Sequence, residues 1–536
     1  MNSIDSNHLT LSNFIHQSQS KKSKAVVLLP PSAIASLDSD QTHSISANQL
    51  FKLANDLAST FIKIRRPQMT ISISLSNSIE FLTCFLAISQ SALIAAPLNP
   101  LYTQNEANFY LSDSNSSLLL VHKGALDPNK PPPGAILAAK KLGIPIAEVS
   151  YQPHPQSIAL NFNINQIAHQ FISRAPTKDD IVLLLHTSGT TGKPKAVPLT
   201  HQNMIATIRN IQATYALSPK DRSFIIMPLF HVHGLLAGLF APLGSGGSCV
   251  IPPRFSARTF WNEFILTKSN WYTAVPTIHQ ILLQTPTPSP LPTIRFIRSC
   301  SSALSPATHD QLERAFQAPV LEAYAMTEAT HQMTSNTLPP AQRKPGTVGK
   351  PVGVELKILD YTSENEVEEG EVCIRGPNVT AGYLNNLTAN QSSFTGPGGY
   401  FRTGDRGKFD QDGYLILTGR IKELINRGGE KISPIEIDSA LLSIDGIVEA
   451  VTFGVPHAKY GEIPWAAVVL GGPSANQISE AIIQKELAKL LGQFKIPEKI
   501  LIVDRIPKTA TGKVLILFKN RRKEGKFLRY LFRIKN

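Results

Sequence analysis

Cysteine and tryptophan are scarce in this chain of 536 residues, four of the first and three of the second. Cys84, Cys249, Cys300 and Cys373 lie far apart and form no CxxC pair. That spacing speaks for a reducing compartment and against a zinc site. No window offers the roughly 18 uninterrupted apolar residues of a membrane span. The nearest, 224–251, is broken by His231, His233, prolines and glycines, and reads as a buried segment lining a site. The start, "MNSIDSNHLTLSNF", lacks the basic-then-apolar order of a secretory signal. The sequons at Asn378 and Asn386 are therefore read as coincidence. The last residues, "IKN", are not an SKL-type peroxisomal signal. The expectation is a cytoplasmic protein.

What the chain has is an ordinary globular composition, 42% hydrophobic and 17% charged. Its length predicts two or more domains. The net charge of +13 raises the question of nucleic acid. Much of that charge is local, however: Lys519, Arg521, Arg522, Lys523, Lys526, Arg529, Arg533 and Lys535 face only Glu524 after residue 513. No nucleic-acid partner is expected.

Residues 47–61 carry apolar side chains at helical spacing, "TISISLS" alternates as a strand, and 79–95 reads as a second, more apolar helix. Short apolar runs follow at 117–121, 181–188, 223–228, 271–275 and 295–300, with helical patterns between them. This alternation predicts a layered α/β architecture with largely parallel sheets. Residues 124–160 and 284–292 read as Pro-rich loops. Beyond about residue 345, short strands and Gly/Pro turns predict a β-rich subdomain. Residues 423–513 read as a small α+β domain, with strands near 449–455 and 465–470 and a helix near 479–491.

One loop invites a chemical reading, "IVLLLHTSGTTGKPKAVPLT" at 181–200. Gly189 and Gly192 are three residues apart and Pro194 follows Lys193, so it is not a G-x-x-x-x-G-K-[ST] phosphate loop. Its physical means are similar. Thr187, Ser188, Thr190 and Thr191 supply hydroxyls, Gly189 and Gly192 let backbone N–H groups approach oxyanions, and Lys193 and Lys195 add charge. Taken alone, the same residues could make a polar surface turn.

The full string "HTSGTTGKPKAV" resembles the phosphate-binding signature of the acyl-adenylate-forming enzymes, the superfamily of acyl-CoA synthetases, adenylation domains and luciferases. Four further segments resemble that family in its order: "YAMTEAT" at 324–330, "YFRTGD" at 400–405, "GRIKELINRGGEKISPIEID" at 419–438 and "PKTATGK" at 507–513. The resemblance covers roughly residues 30 to 513 and implies a carboxylate–CoA ligase using ATP, Mg2+ and coenzyme A. It implies that the loop holds the β- and γ-phosphates of ATP, with Tyr324 in the nucleotide site. Thr327 would contact the α-phosphate, Glu328 would hold Mg2+, and Asp405 would bind the ribose hydroxyls with Arg420 assisting. It further implies a domain over 1–421 that binds nucleotide and acyl group, a mobile lid over 422–513 hinged at Lys422, and a divergent tail over 514–536. Lys513 would serve adenylation. The 426–436 loop, with Gly428, Gly429 and Lys431, would serve the thioester step. Ala325 stands where the family usually has glycine, and the apolar run after Lys513 departs from its pattern.

The acyl side is read from "PLFHVHGLLAGLF", "IPPRFSARTFW", "RSCSSALSP" and "AMTEATHQMTSN". His231 would stand beside the carboxylate, and His233 would be a structural partner. Convergence of Arg254, His231, Ser301 and His331 would suit a small, doubly charged acid, because an unpaired cation is expensive to bury in an apolar pocket. The strings "FHVHGLLAGL", "RFSA", "WYTAVPTIHQ" and "YAMTEATH" resemble the oxalate–CoA ligases of plants and fungi within the family. Another short carboxylate, an aromatic acid of the coumarate type, or a binding-only protein with a degenerate carboxyl terminus are the alternatives. A monomer and a dimer both remain open.

Overall fold

The computed structural model describes residues 9–19, 24–34, 41–66, 68–161, 174–187, 194–396 and 399–508. The loop residues Ser188 to Lys193, the lysine at 513 and the basic tail lie outside them.

Two large sheets form the amino-terminal part. In the first, the order is Ser157–Asn161, Ile146–Gln152, Ser116–His122, Thr70–Ser74, Ile94–Pro97, Ile181–His186 and Ala196–Thr200. Its inner strands are parallel, and both edge strands are antiparallel to their neighbours. The second runs Lys350–Pro351, His331–Ser335, Val320–Met326, Phe296–Ser299, Trp271–Ala274, Arg222–Phe224, Ser248–Val250, Ala25–Leu29 and His43–Ser46. It is parallel from Val320–Met326 to Ala25–Leu29. Parallel strands need crossovers, and helices such as Ile79–Gln90 and Pro306–Phe316 lie between paired parallel strands in the chain. The fold is layered α/β, as the alternation predicts.

The helix Ala47–Ile64 starts on a capping box, with Ser46 and Gln49 satisfying each other's backbone N–H groups. It buries Leu50, Leu53, Ala54, Leu57 and Phe61, the stripe read from the sequence. The helix Ile79–Gln90 is buried on nearly every side, which explains why it is apolar all round. Phe85, fully buried on it, meets Phe240 with ring centroids 5.3 Å apart. Truncating such a side chain to alanine costs about 3–5 kcal/mol.

Three expectations are corrected. The run 79–95 is not one helix: Ala92 adopts a left-handed φ of 51°, the helix stops at Gln90, and Ile94–Pro97 is a strand. The Pro-rich stretch 124–160 contains the helix Gly134–Leu142 and the strands Ile146–Gln152 and Ser157–Asn161. Pro133 occupies the N-cap position of that helix without preventing it, since a helix start has no use for the missing N–H. The strand expected over 223–228 ends at Phe224.

Next comes an antiparallel sheet of Glu355–Leu359, Glu369–Arg375, Phe401–Phe409 and Leu415–Arg420. The small α+β unit pairs Ile447–His457 with Gly461–Leu470, adds Lys499–Ile502 in parallel, and packs Pro434–Leu442 and Glu480–Leu490 over Ile437, Leu441, Val468, Ile483 and Leu487. No helix among the described residues is long and apolar enough to cross a membrane.

Candidate nucleotide and acyl site

The loop read as a phosphate cradle joins two antiparallel strands, with His186 opposite Ala196. Thr187 and Lys195 close its base: Thr187 N–H donates to the Lys195 carbonyl at 3.0 Å, and Lys195 N–H to Thr187 Oγ1 at 3.4 Å. No helix follows directly, unlike the strand–loop–helix of a P-loop. The Lys195 ammonium lies 4.3 Å from the centroid of the Tyr383 ring. Burial lowers its pKa, which Glu328 opposes and Lys422 reinforces.

Tyr383 links this lysine to Glu328, donating its O–H to Oε1 at 2.8 Å. Glu328 is buried on a short turn, Thr327–Ala329, between the paired strands Val320–Met326 and His331–Ser335. The turn closes through two left-handed residues, Thr330 at φ 53° and His331 at φ 119°. Asn378 fastens it, donating to the Ala329 carbonyl at 3.0 Å and the Gln332 carbonyl at 3.1 Å, while Thr330 Oγ1 donates to the Asn378 carbonyl at 2.6 Å. Burial raises the Glu328 pKa, against the hydrogen bond from Tyr383. A carboxylate so placed gains from any cation that joins it.

Asp405 and Arg420 face each other across adjacent strands, Arg420 Nε donating to Asp405 Oδ1 at 2.9 Å. Tyr324 donates its O–H to the other carboxylate oxygen. The nearby Asp405 charge raises the Arg420 pKa, and burial pushes the Tyr324 phenol well up. Tyr324, Asp405 and Arg420, from two segments about 80 residues apart in the chain, thus form one polar group. Lys422 follows Arg420 and is exposed. Gly428 and Gly429, at φ 62° and 102°, make the two-residue turn between Ile425–Arg427 and Glu430–Ile432. That turn needs positive φ at both positions, which glycine supplies without strain. Lys431 is exposed beside it.

On the acyl side, residues 228–240 fold back tightly. A Cβ at Gly234 would come within 2.3 Å of the Pro228 carbonyl oxygen, so only glycine fits. His233–Phe240 is an unusually wide helical segment, in which Ala241 N–H reaches the Leu236 carbonyl five residues back. His231 is half-buried, and its Nδ1 accepts from the His233 backbone N–H at 3.3 Å. His233 is wholly buried, with Nδ1 2.9 Å from Ser301 Oγ and Nε2 2.6 Å from Thr273 Oγ1. Its ring stacks on His331 with centroids 5.3 Å apart. Burial, then the Arg298 charge, hold the His233 pKa well below the ordinary histidine range. Ser301 has a left-handed φ of 76°.

The cation beside this cluster is Arg298, which the sequence reading passed over. It is fully buried on the strand Phe296–Ser299. Its Nε donates to Tyr215 Oη at 2.8 Å, Nη1 to Thr273 Oγ1 at 3.2 Å and Nη2 to Gln332 Oε1 at 3.2 Å, while Nη1 lies 3.4 Å from His233 Nε2. None of these partners is a carboxylate. Arg254, expected to converge here, is exposed and makes no hydrogen bond or ion pair with the cluster. His231, Ser301 and His331 therefore accompany Arg298 rather than Arg254. Thr273 and Tyr383 were also missed: Thr273 sits inside the apolar strand run "WYTAV", and Tyr383 belongs to no segment with a chemical signature. An arginine inside an otherwise apolar strand run, "RFIRSC", was the available signal for Arg298.

Residues 20–384 match the AMP-binding enzyme family, and residues 436–513 match the AMP-binding enzyme C-terminal domain. The chain belongs to the AMP-binding enzyme family. It is 49% identical over 469 residues to the oxalate–CoA ligase of Saccharomyces cerevisiae, covering 83% of this chain and 85% of that one. It is 48% identical over 460 residues to the oxalate–CoA ligase of Arabidopsis thaliana, covering 84% and 87%. Among solved structures it is similar to ATP-bound MatB from Rhodopseudomonas palustris, with a TM-score of 0.81, 28% identity and coverage of 94% and 97%.

Proposed function

We propose that the protein is an AMP-forming oxalate–CoA ligase. An oxalate oxygen attacks the α-phosphorus of ATP and pyrophosphate leaves. The coenzyme A thiol, losing its proton, then attacks the activated carbonyl and AMP leaves. The observation that carries the acyl assignment is the buried Arg298, whose hydrogen-bond partners among the described residues are neutral, beside His233, Ser301 and His331. Such a charge is costly in an apolar pocket and favourable beside a small dianion. The two relatives named oxalate–CoA ligases support the same reading.

The first step brings an anion onto a polyanion, so positive charge must oppose the repulsion. In this reading Lys195 and the 187–195 loop, including Ser188, Gly189, Thr190, Thr191, Gly192 and Lys193, cradle the β- and γ-phosphates. Thr327 contacts the α-phosphate. Asp405, oriented by Tyr324 and Arg420, accepts hydrogen bonds from the ribose hydroxyls. Glu328, a buried acid steadied by Tyr383, fits the holding of Mg2+, which when bound would neutralise phosphate charge. Lys422 is the hinge between the 1–421 and 422–513 domains, exchanging Lys513 for the Gly428–Gly429–Lys431 loop between half-reactions.

The test is carboxylate-dependent ATP–pyrophosphate exchange with oxalate, malonate, acetate, hexanoate and coumarate. Oxalate should be strongly preferred, and AMP should be released when coenzyme A is added. Better turnover of hexanoate or coumarate would refute the acyl assignment, and release of ADP and phosphate would refute the reaction class.

A further inference from the structure

We infer that Arg298, Thr273 and His233 form a one-way hydrogen-bond relay that leaves the hydrogen of the Ser301 hydroxyl free to donate toward the acyl anion. The inference rests on the reading of Ser301 as an acyl-site residue; the direction of the relay follows from the geometry.

Arginine carries five N–H donors and no acceptor. Arg298 Nη1 donates to Thr273 Oγ1 at 3.2 Å and stands 3.4 Å from His233 Nε2, so a hydrogen on Nε2 would face the guanidinium and the ring nitrogen presents its lone pair on this side. Thr273 Oγ1 then spends its one hydrogen on His233 Nε2, 2.6 Å away. With Nε2 accepting, the neutral ring carries its proton on Nδ1. Nδ1 donates that hydrogen to Ser301 Oγ at 2.9 Å. One lone pair of Ser301 Oγ is thereby taken by the Nδ1 hydrogen, and the hydroxyl's own hydrogen is left to point away from His233.

The left-handed backbone at Ser301, φ 76°, fixes where that hydroxyl stands. The wholly buried links do not exchange their partners for water. The far side of Arg298 is equally held, by Tyr215 and Gln332; Gln332 in turn donates through Nε2 to Thr214 Oγ1 at 2.9 Å. Each link polarises the next, so the Ser301 O–H is a stronger donor than an isolated serine. Thr273, Arg298 and His233 are positioning residues, acting on the substrate through Ser301.

Thr273 is the link to break, because removing Arg298 would unsettle the core. Thr273→Val keeps the shape and removes the hydroxyl. In oxalate-dependent exchange by the full chain, it should raise the oxalate KM about tenfold, the scale of one charge-assisted hydrogen bond, with ATP KM unchanged. Thr273→Ser should restore it to within about twofold. In a Ser301→Ala background, Thr273→Val should add less than about twofold, because the relay then has nothing to orient. An equal effect of Thr273→Val in both backgrounds would overturn the relay. The second readout is the 15N spectrum of histidine-labelled protein, with the His233 signals identified by their loss in His233→Gln. Wild type should show the Nδ1–H tautomer, and an Nε2–H tautomer would overturn the relay whatever the substrate. An Nδ1–H tautomer in a protein showing no exchange with oxalate would instead count against the oxalate reading and leave the relay standing.

Discussion

Tyr383 holds Glu328 by one hydrogen bond, O–H to Oε1 at 2.8 Å, and the same ring lies 4.3 Å from the Lys195 ammonium. One aromatic side chain thus touches both the acid and the base of the proposed triphosphate site. The two touches can be separated chemically. The ring face serves the lysine, and the hydroxyl serves the carboxylate.

Tyr383→Phe keeps the ring and deletes the hydroxyl. The buried Glu328 loses a donor, which raises its pKa further and weakens it as a cation ligand. Exchange should fall about tenfold and the half-saturating Mg2+ concentration should rise, on the usual scale of a hydrogen bond to a charged group. Titration of exchange against Mg2+ checks this, and an unchanged Mg2+ dependence would remove Glu328 from the metal-binding role.

Glu322 provides a pH dependence of stability. It is buried on the strand Val320–Met326, its Oε1 accepting from Leu304 N–H at 2.9 Å, and burial pushes its pKa up to about 8. Between the ordinary carboxylate range and pH 8, the folded chain holds a proton that the unfolded chain has released. This contribution is present at low pH and is lost as pH rises through that window. Glu322→Gln retains an acceptor for Leu304 and cannot ionise. Urea midpoints at pH 5.5 and 8.5 should fall less for the variant than for the wild type. Equal falls would mean that Glu322 is ionised in the folded chain throughout.

Arg254 is the third case. It is exposed and outside the buried cluster, so Arg254→Ala should leave the oxalate KM within about twofold, as is usual for solvated charges. A rise above tenfold in steady-state kinetics would mean that the loop bearing Arg254 closes over the acid when it binds.

These differences mark where the chain is legible. The parallel strands and the helix at 47–64 are readable because each buries a continuous apolar stripe, and periodicity reports burial directly. The site segments are readable because glycines, hydroxyls and charges recur at fixed spacing in 181–200, 324–330 and 400–405. The helix after Pro133 is hidden because proline signals a loop and a helix start equally well. The end of the helix at Gln90 is hidden because Ala92 takes a left-handed φ that its identity does not favour. Arg298 is hidden for a different reason. Its meaning lies in Thr273 and Gln332 on other strands and in Tyr215 at the end of the helix His201–Thr214, all far from it in sequence, so attention fell on Arg254 instead.

The turn carrying Glu328 also carries His331 on its return strand, and Asn378 ties Ala329 and Gln332 to each other. In the proposed assignment a single bracket therefore serves both the nucleotide side and the acyl side. Drift in acid preference through this bracket would disturb the nucleotide side at the same moment, so variants there face two demands at once. In the proposed assignment the segment His233–Phe240 serves the acyl side, meeting the bracket where His233 stacks on His331. New acid specificities on this scaffold are accordingly to be sought in that segment, where one substitution can be judged on one substrate.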